Sequence, residues 1–190
     1  MGSMRPGDIP ARPSKLRCLP ADTMRRCLRR WDALLPLIGA MPEEQILAEL
    51  DRRDLVAEHL AYLAFALPER EAIWWACQCV GRDPGSETSP DHRDALATAE
   101  RWVRRADAGL QVDCARLARA IGRDHATGHV ARAVCATAPS YPHNIMASRH
   151  VDDAVRMAGA TGRAGADTML RSFVVSAMNI AGGGAGRLLS

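Results

Sequence analysis

A chain of 190 residues with 47% apolar and 25% charged side chains has a globular composition, and enough length to bury roughly 70% of its unfolded surface, which excludes a wholly disordered chain and any need for cross-links. No apolar run reaches the ~18 residues of a membrane-spanning helix and no apolar stretch follows the N-terminus, so a soluble, cytoplasmic protein is expected. The net charge of +3 divides unevenly: residues 1–31 hold eight basic side chains against Asp8 and Asp22, leaving the rest of the chain at −3.

Residues 1–20 contain Pro6, Pro10, Pro13 and Pro20 and little apolar content, which predicts a flexible leader. A first helix is expected after a cap at Asp22 or Thr23. Its stripe is Met24, Cys27, Leu28, Trp31, Leu34 and Leu35, and Pro36 and Gly39 end it. Pro42 with Glu43 and Glu44 opens a second helix carrying Ile46, Leu47 and Leu50. From Asp54 a helix opens or continues through Leu55, Val56, Leu60, Leu63 and Leu67, and Pro68 begins another that runs through Ile73, Trp75 and Val80 to Gly81. Residues 82–89 read as a surface loop, and Ser89-Pro90-Asp91 is a strong helix start whose apolar face includes Ala95, Leu96, Ala99, Trp102 and Val103. Further helices are expected over about residues 113–121, 124–137, 147–159 and 164–181, with Pro139 and Pro142 bracketing a connection and residues 182–190 forming a glycine-rich, frayed tail. The periodicity predicts an all-α domain over residues 21–181, a globular bundle of about eight short helices, with stacked helical hairpins as the alternative arrangement.

Cys27, Cys77, Cys79, Cys114 and Cys135 fall inside apolar helical patterns, so buried thiols are expected rather than disulfides. Cys77 and Cys79 stand about 200° apart on a helix and do not share a metal easily. The only histidine pair at helical spacing is His125 and His129; it lacks an H-E-x-x-H acid and needs a third ligand from His143, His150, Asp152 or Asp153. No metal, cofactor or catalytic residue is therefore expected. The run Ala181-Gly182-Gly183-Gly184-Ala185-Gly186-Arg187 follows a helix instead of a strand, which removes a phosphate-cradle reading.

Leu67-Pro68-Glu69-Arg70-Glu71-Ala72-Ile73-Trp74-Trp75-Ala76-Cys77 is the most distinctive stretch. Adjacent tryptophans lie ~100° apart on a helix, so no narrow stripe buries both, and a central helix with several neighbours is expected. Trp75 and Trp102 are expected in the core, each indole N–H of the Trp74-Trp75 pair bonded locally, with Trp74 the candidate to line a groove for a partner. Together with Ala97-Thr98-Ala99-Glu100-Arg101-Trp102-Val103, this stretch resembles an uncharacterised family of all-helical bacterial proteins with an L-P-x-R-E-A-x-W-W-A-C core and an A-x-A-E-x-W-V segment. The resemblance spans roughly residues 45–185, and members are often encoded near type VI secretion components. It implies a context and carries over no catalytic residue.

A non-enzymatic protein-interaction module follows as the expectation: an adaptor, chaperone or accessory factor of a type VI-like secretion system, with another protein as partner, such as a component or effector. A toxin-neutralising, immunity-type protein is the alternative, although the −3 balance beyond residue 31 is weak for a toxin-plugging surface. On the first helix Arg25, Arg26, Arg29 and Arg30 face away from the apolar stripe and offer a docking face for an acidic partner. A nucleic-acid reading of the same face is opposed by the Glu43-Glu44-Gln45 start of the next helix, which would meet phosphate with the wrong sign.

Overall fold

The computed structural model describes residues 15–17, 20–27, 33–38, 40–82, 89–137, 145–160 and 165–186. Among these residues nine helices form and no extended strand: α1 Ala21–Cys27, α2 Glu43–Arg52, α3 Val56–Ala66, α4 Glu69–Val80, α5 Pro90–Arg105, α6 Ala108–Ile121, α7 Ala126–Cys135, α8 Ile145–Gly159 and α9 Ala166–Ala181. The all-α expectation holds. No helix among the described residues is long and apolar enough to cross a membrane.

Two helices organise the rest. α4 packs against α3, α5, α7, α8 and α9, and α8 against α3, α4, α7 and α9. The near-continuous apolar run of α3 explains why it is buried all round, from His59 to Ala66. Alanines at Ala64, Ala76, Ala99, Ala131 and Ala154 are fully buried and keep the helix surfaces shallow, so large side chains from the neighbours fill the seams. Trp75 and Trp102 are core residues, as expected, at 0% and 4% exposure. Their polar edges differ. The Trp75 indole N–H donates across the core to the Phe173 carbonyl at 3.0 Å, whereas the Trp102 nitrogen is buried with no hydrogen-bond partner among the described residues.

Several boundaries differ from the sequence expectation. The first helix is described over Ala21–Cys27 with Met24 buried, and residues 33–37, expected to continue it through Leu34 and Leu35, form turns with Leu34 buried; Leu28 and Trp31 lie outside the described residues. Asp54 takes a left-handed φ of 58°, which separates α2 from α3 where the apolar pattern alone permits one helix. α6 begins at Ala108, five residues before the expected start, because Ala106 stops α5 in the left-handed region and Asp107 caps α6 by accepting from the Gly109 N–H at 2.6 Å. The connection holding Pro139 and Pro142 lies outside the described residues.

Two segments expected to be loose are tied down. The Lys15 N–H donates to the Ala181 carbonyl and the Arg17 N–H to the Ala66 carbonyl, so the end of the leader crosses the C-termini of α9 and α3. Residues 182–186 turn back over α9: the Gly184 N–H reaches the Asn179 carbonyl, the Gly186 N–H the Asn179 side chain, and the Ser176 hydroxyl donates to the Gly186 carbonyl.

Candidate functional site

Trp74 stands on α4 beside Trp75 and packs against the edge of the core. It is half-buried, and its indole N–H donates to the Ala185 carbonyl of the folded-back tail at 3.0 Å. Neither indole of the pair is bonded locally, since both reach the C-terminal region of the chain. Trp74 lines a cleft of about 420 Å3 whose walls include Arg70 and Glu71 of α4, Arg104 of α5, Ile180 of α9, and Lys15. Three cations face one carboxylate there. The Lys15 ammonium sits 3.4 Å from Glu71, and Arg104 reaches Glu100 one turn back at 3.4 Å. The Arg70 guanidinium donates to the carbonyls of Val103 and Arg104, where α5 has run out of its own amide partners. The cleft therefore combines an indole face with a net positive rim.

The arginine face behaves differently. Arg25 donates to the Asp22 carboxylate at 3.3 Å and to the Ile38 carbonyl at 2.8 Å, so it ties α1 to the following turn. The side chain of Arg26, and Arg29 and Arg30 altogether, lie outside the described residues. Of the two expected partner-facing residues whose side chains are described, Arg25 and Trp74, it is Trp74 that borders the cleft. Lys15, Arg70 and Arg104 escaped the sequence reading because they come from three separate segments; Arg70, inside the L-P-E-R-E-A stretch, was the one available signal.

A second polar cluster lies between α7 and α8. The His125–His129 helical pair does not form as expected. His125 is the N-cap residue of α7, and its ring meets His92 edge-on with centroids 4.7 Å apart; His92 in turn shares a 2.9 Å hydrogen bond with Thr127. His129 faces α8 instead. Its Nδ1 is 3.3 Å from Nδ1 of His150 and 3.7 Å from Oδ2 of Asp153, and its Nε2 lies 2.9 Å from the Arg123 carbonyl. Burial, then the neighbouring His129, hold the His150 imidazole down to a pKa of about 4, so it is neutral at physiological pH. Among the described residues, His129, His150 and Asp153 are close enough together to hold a metal ion.

Among the described residues the buried thiols Cys77, Cys79 and Cys114 offer no nucleophile. Burial pushes Cys77 and Cys79 well above the usual thiol range and Cys114 up to about 12, which keeps each protonated and unreactive at neutral pH.

Residues 46–181 match a family of unknown function (DUF6931), and the chain belongs to it. No curated protein and no solved structure matches the chain.

Proposed function

We propose that this member of the family is a non-enzymatic protein-interaction module, an adaptor, chaperone or accessory factor of a type VI-like bacterial secretion system, which grips an acidic segment of its partner in the Trp74 cleft. The observation that carries the reading is the cleft itself. It joins a half-buried indole face to Lys15, Arg70 and Arg104, with Glu71 against Lys15 and Glu100 against Arg104, and so pairs an aromatic anchor with a rim that keeps a net positive charge for carboxylates. The secretion context rests on the resemblance of the L-P-x-R-E-A-x-W-W-A-C and A-x-A-E-x-W-V segments.

The test is retention from a native extract on immobilised wild type, Trp74→Ala and Arg104→Glu, with the retained proteins identified by mass spectrometry. Arg104 is well exposed, so its reversal leaves the core untouched. A secretion component or effector held by wild type, lost from both variants and weakened by salt, supports the reading. Retention of general chaperones only, or equal retention on all three proteins, overturns it. Co-expression with a retained effector then separates the two roles: improved secretion marks a chaperone, and rescued growth marks an immunity-type protein.

A further inference from the structure

We propose that His129, His150 and Asp153 form a binding site for a divalent transition-metal ion, zinc above all, which clamps α7 to α8.

The sequence argues against a metal because His125 and His129, one turn apart, have no H-E-x-x-H acid between them and need a third ligand from a distant part of the chain. The structure replaces that pair with another. His150 and Asp153, at i and i+3 on α8, share a face turned toward His129 on α7. Two nitrogens bound to one tetrahedral zinc at 2.0–2.1 Å stand roughly 3.3–3.4 Å apart. The two δ nitrogens lie 3.3 Å apart. The 3.7 Å from His129 Nδ1 to Asp153 Oδ2 corresponds to a ligand angle opened to roughly 130° at the same bond lengths. All three ligand atoms lie within 4.8 Å of one another, a triangle that a small rotation of the half-exposed Asp153 side chain closes around an ion.

The surroundings orient the ligands as metal sites require. A carbonyl oxygen only accepts, so His129 must carry its proton on Nε2 to bond Arg123, and in the neutral ring this leaves the Nδ1 lone pair facing His150 and Asp153. A backbone carbonyl holding the far nitrogen of a histidine is the usual device that fixes a ligating tautomer. Arg156 grips the other oxygen of Asp153 at 2.9 Å, which steadies the carboxylate with Oδ2 toward the histidines. Two imidazoles and one carboxylate suit zinc better than calcium or magnesium, which prefer all-oxygen shells, and three protein ligands leave a fourth position for water. His129 is buried while His150 and Asp153 are half-exposed, so an ion enters from the solvent side of α8.

The experiment uses the full chain, freed of any affinity tag, stripped with chelator and titrated with Zn2+ by calorimetry, with thermal melting and Co2+ absorption as further readouts. The expected result is one equivalent of zinc bound, a raised Tm on loading, and intense visible cobalt bands without thiolate charge transfer. His150→Gln and Asp153→Asn, checked by circular dichroism for intact helices, should each weaken zinc binding at least tenfold and abolish the Tm rise, whereas His125→Gln should bind as wild type does. Absence of saturable one-to-one binding, thiolate bands in the cobalt spectrum, undiminished binding in His150→Gln and Asp153→Asn, or an equal loss in His125→Gln would each overturn the proposal.

Discussion

His59 shows how one polar side chain in an apolar helix makes stability depend on pH. It lies on α3 at 7% exposure, its Nε2 has no hydrogen-bond partner among the described residues, and burial lowers its pKa to about 4 against a modest opposing pull from Asp51. A histidine that is harder to protonate when folded lets the unfolded chain bind the proton first. Its contribution is therefore fully present above the unfolded pKa near 6.5 and is lost as the pH falls from there through about 4. Between pH 7 and pH 5 the loss from this residue should be about 2 kcal/mol. Chemical denaturation at the two pH values checks this: His59→Leu should lose about that much less stability than wild type over the interval. His150 shifts in the same direction but is common to both proteins and cancels in the comparison. Equal losses in the two proteins would show that His59 titrates normally.

At the scale of the elements, the arginines have an internal use. The chain holds a single lysine, and three of its guanidiniums close the C-termini of helices to which they do not belong. Arg17 donates to the Leu67 carbonyl after α3, Arg70 to Val103 and Arg104 at the end of α5, and Arg132 of α7 to Ala118 and Gly122 at the end of α6, at 2.7 and 2.6 Å. Each meets the negative end of the helix dipole, where carbonyls run short of amides in their own helix; Ala118 also accepts from the Gly122 N–H at 3.3 Å. A planar fork bonds two such carbonyls at once, which an ammonium does poorly. Arg132→Met keeps the apolar stem but strands the Gly122 carbonyl and takes the second donor from Ala118, and should cost about 2 kcal/mol, with Arg132→Lys recovering only part; urea unfolding decides, and a loss below about 1 kcal/mol for Arg132→Met would show that water substitutes for the guanidinium. These contacts join elements distant in sequence, and this is where the sequence stopped being legible. Local signals such as Pro42, Pro68 with Gly81, and Ser89-Pro90 mark the ends of α2, α4 and α5 well. The start of α6 was hidden because its boundary is a left-handed Ala106, a conformation usually marked by glycine. The histidine cluster is legible in part: His150 and Asp153 stand among the possible third ligands, but helical spacing pairs His125 with His129, whereas the cap position turns His125 toward His92 on α5.

At the scale of the whole molecule, the two ends of the described chain meet beside the Trp74 cleft. Lys15 bonds Ala181, and residues 182–186 fold over α9 to put the Ala185 carbonyl on the Trp74 indole. Composition predicts fraying for this glycine-rich stretch, yet glycine is what lets it lie down. Gly186 is buried with φ at +73°, and a Cβ there would stand 2.5 Å from the Ile180 side chain. Gly183 also has a positive φ, +93°, but a Cβ would meet open space. The pair separates backbone strain from packing. Gly183→Ala carries only the cost of the left-handed region, about 1–2 kcal/mol, while Gly186→Ala adds overpacking against Ile180, a further cost of about 1–3 kcal/mol. That added cost is best relieved by releasing the strap, which would free the Trp74 N–H and open the wall of the cleft at Gly184. Gly186→Ala should therefore lower Tm more than Gly183→Ala and shift tryptophan emission to the red. When each is combined with Trp74→Phe, the emission shift should disappear while the difference in Tm remains. Equal melting of the two alanine variants, with unchanged emission, would mean that the tail does not hold the cleft in shape.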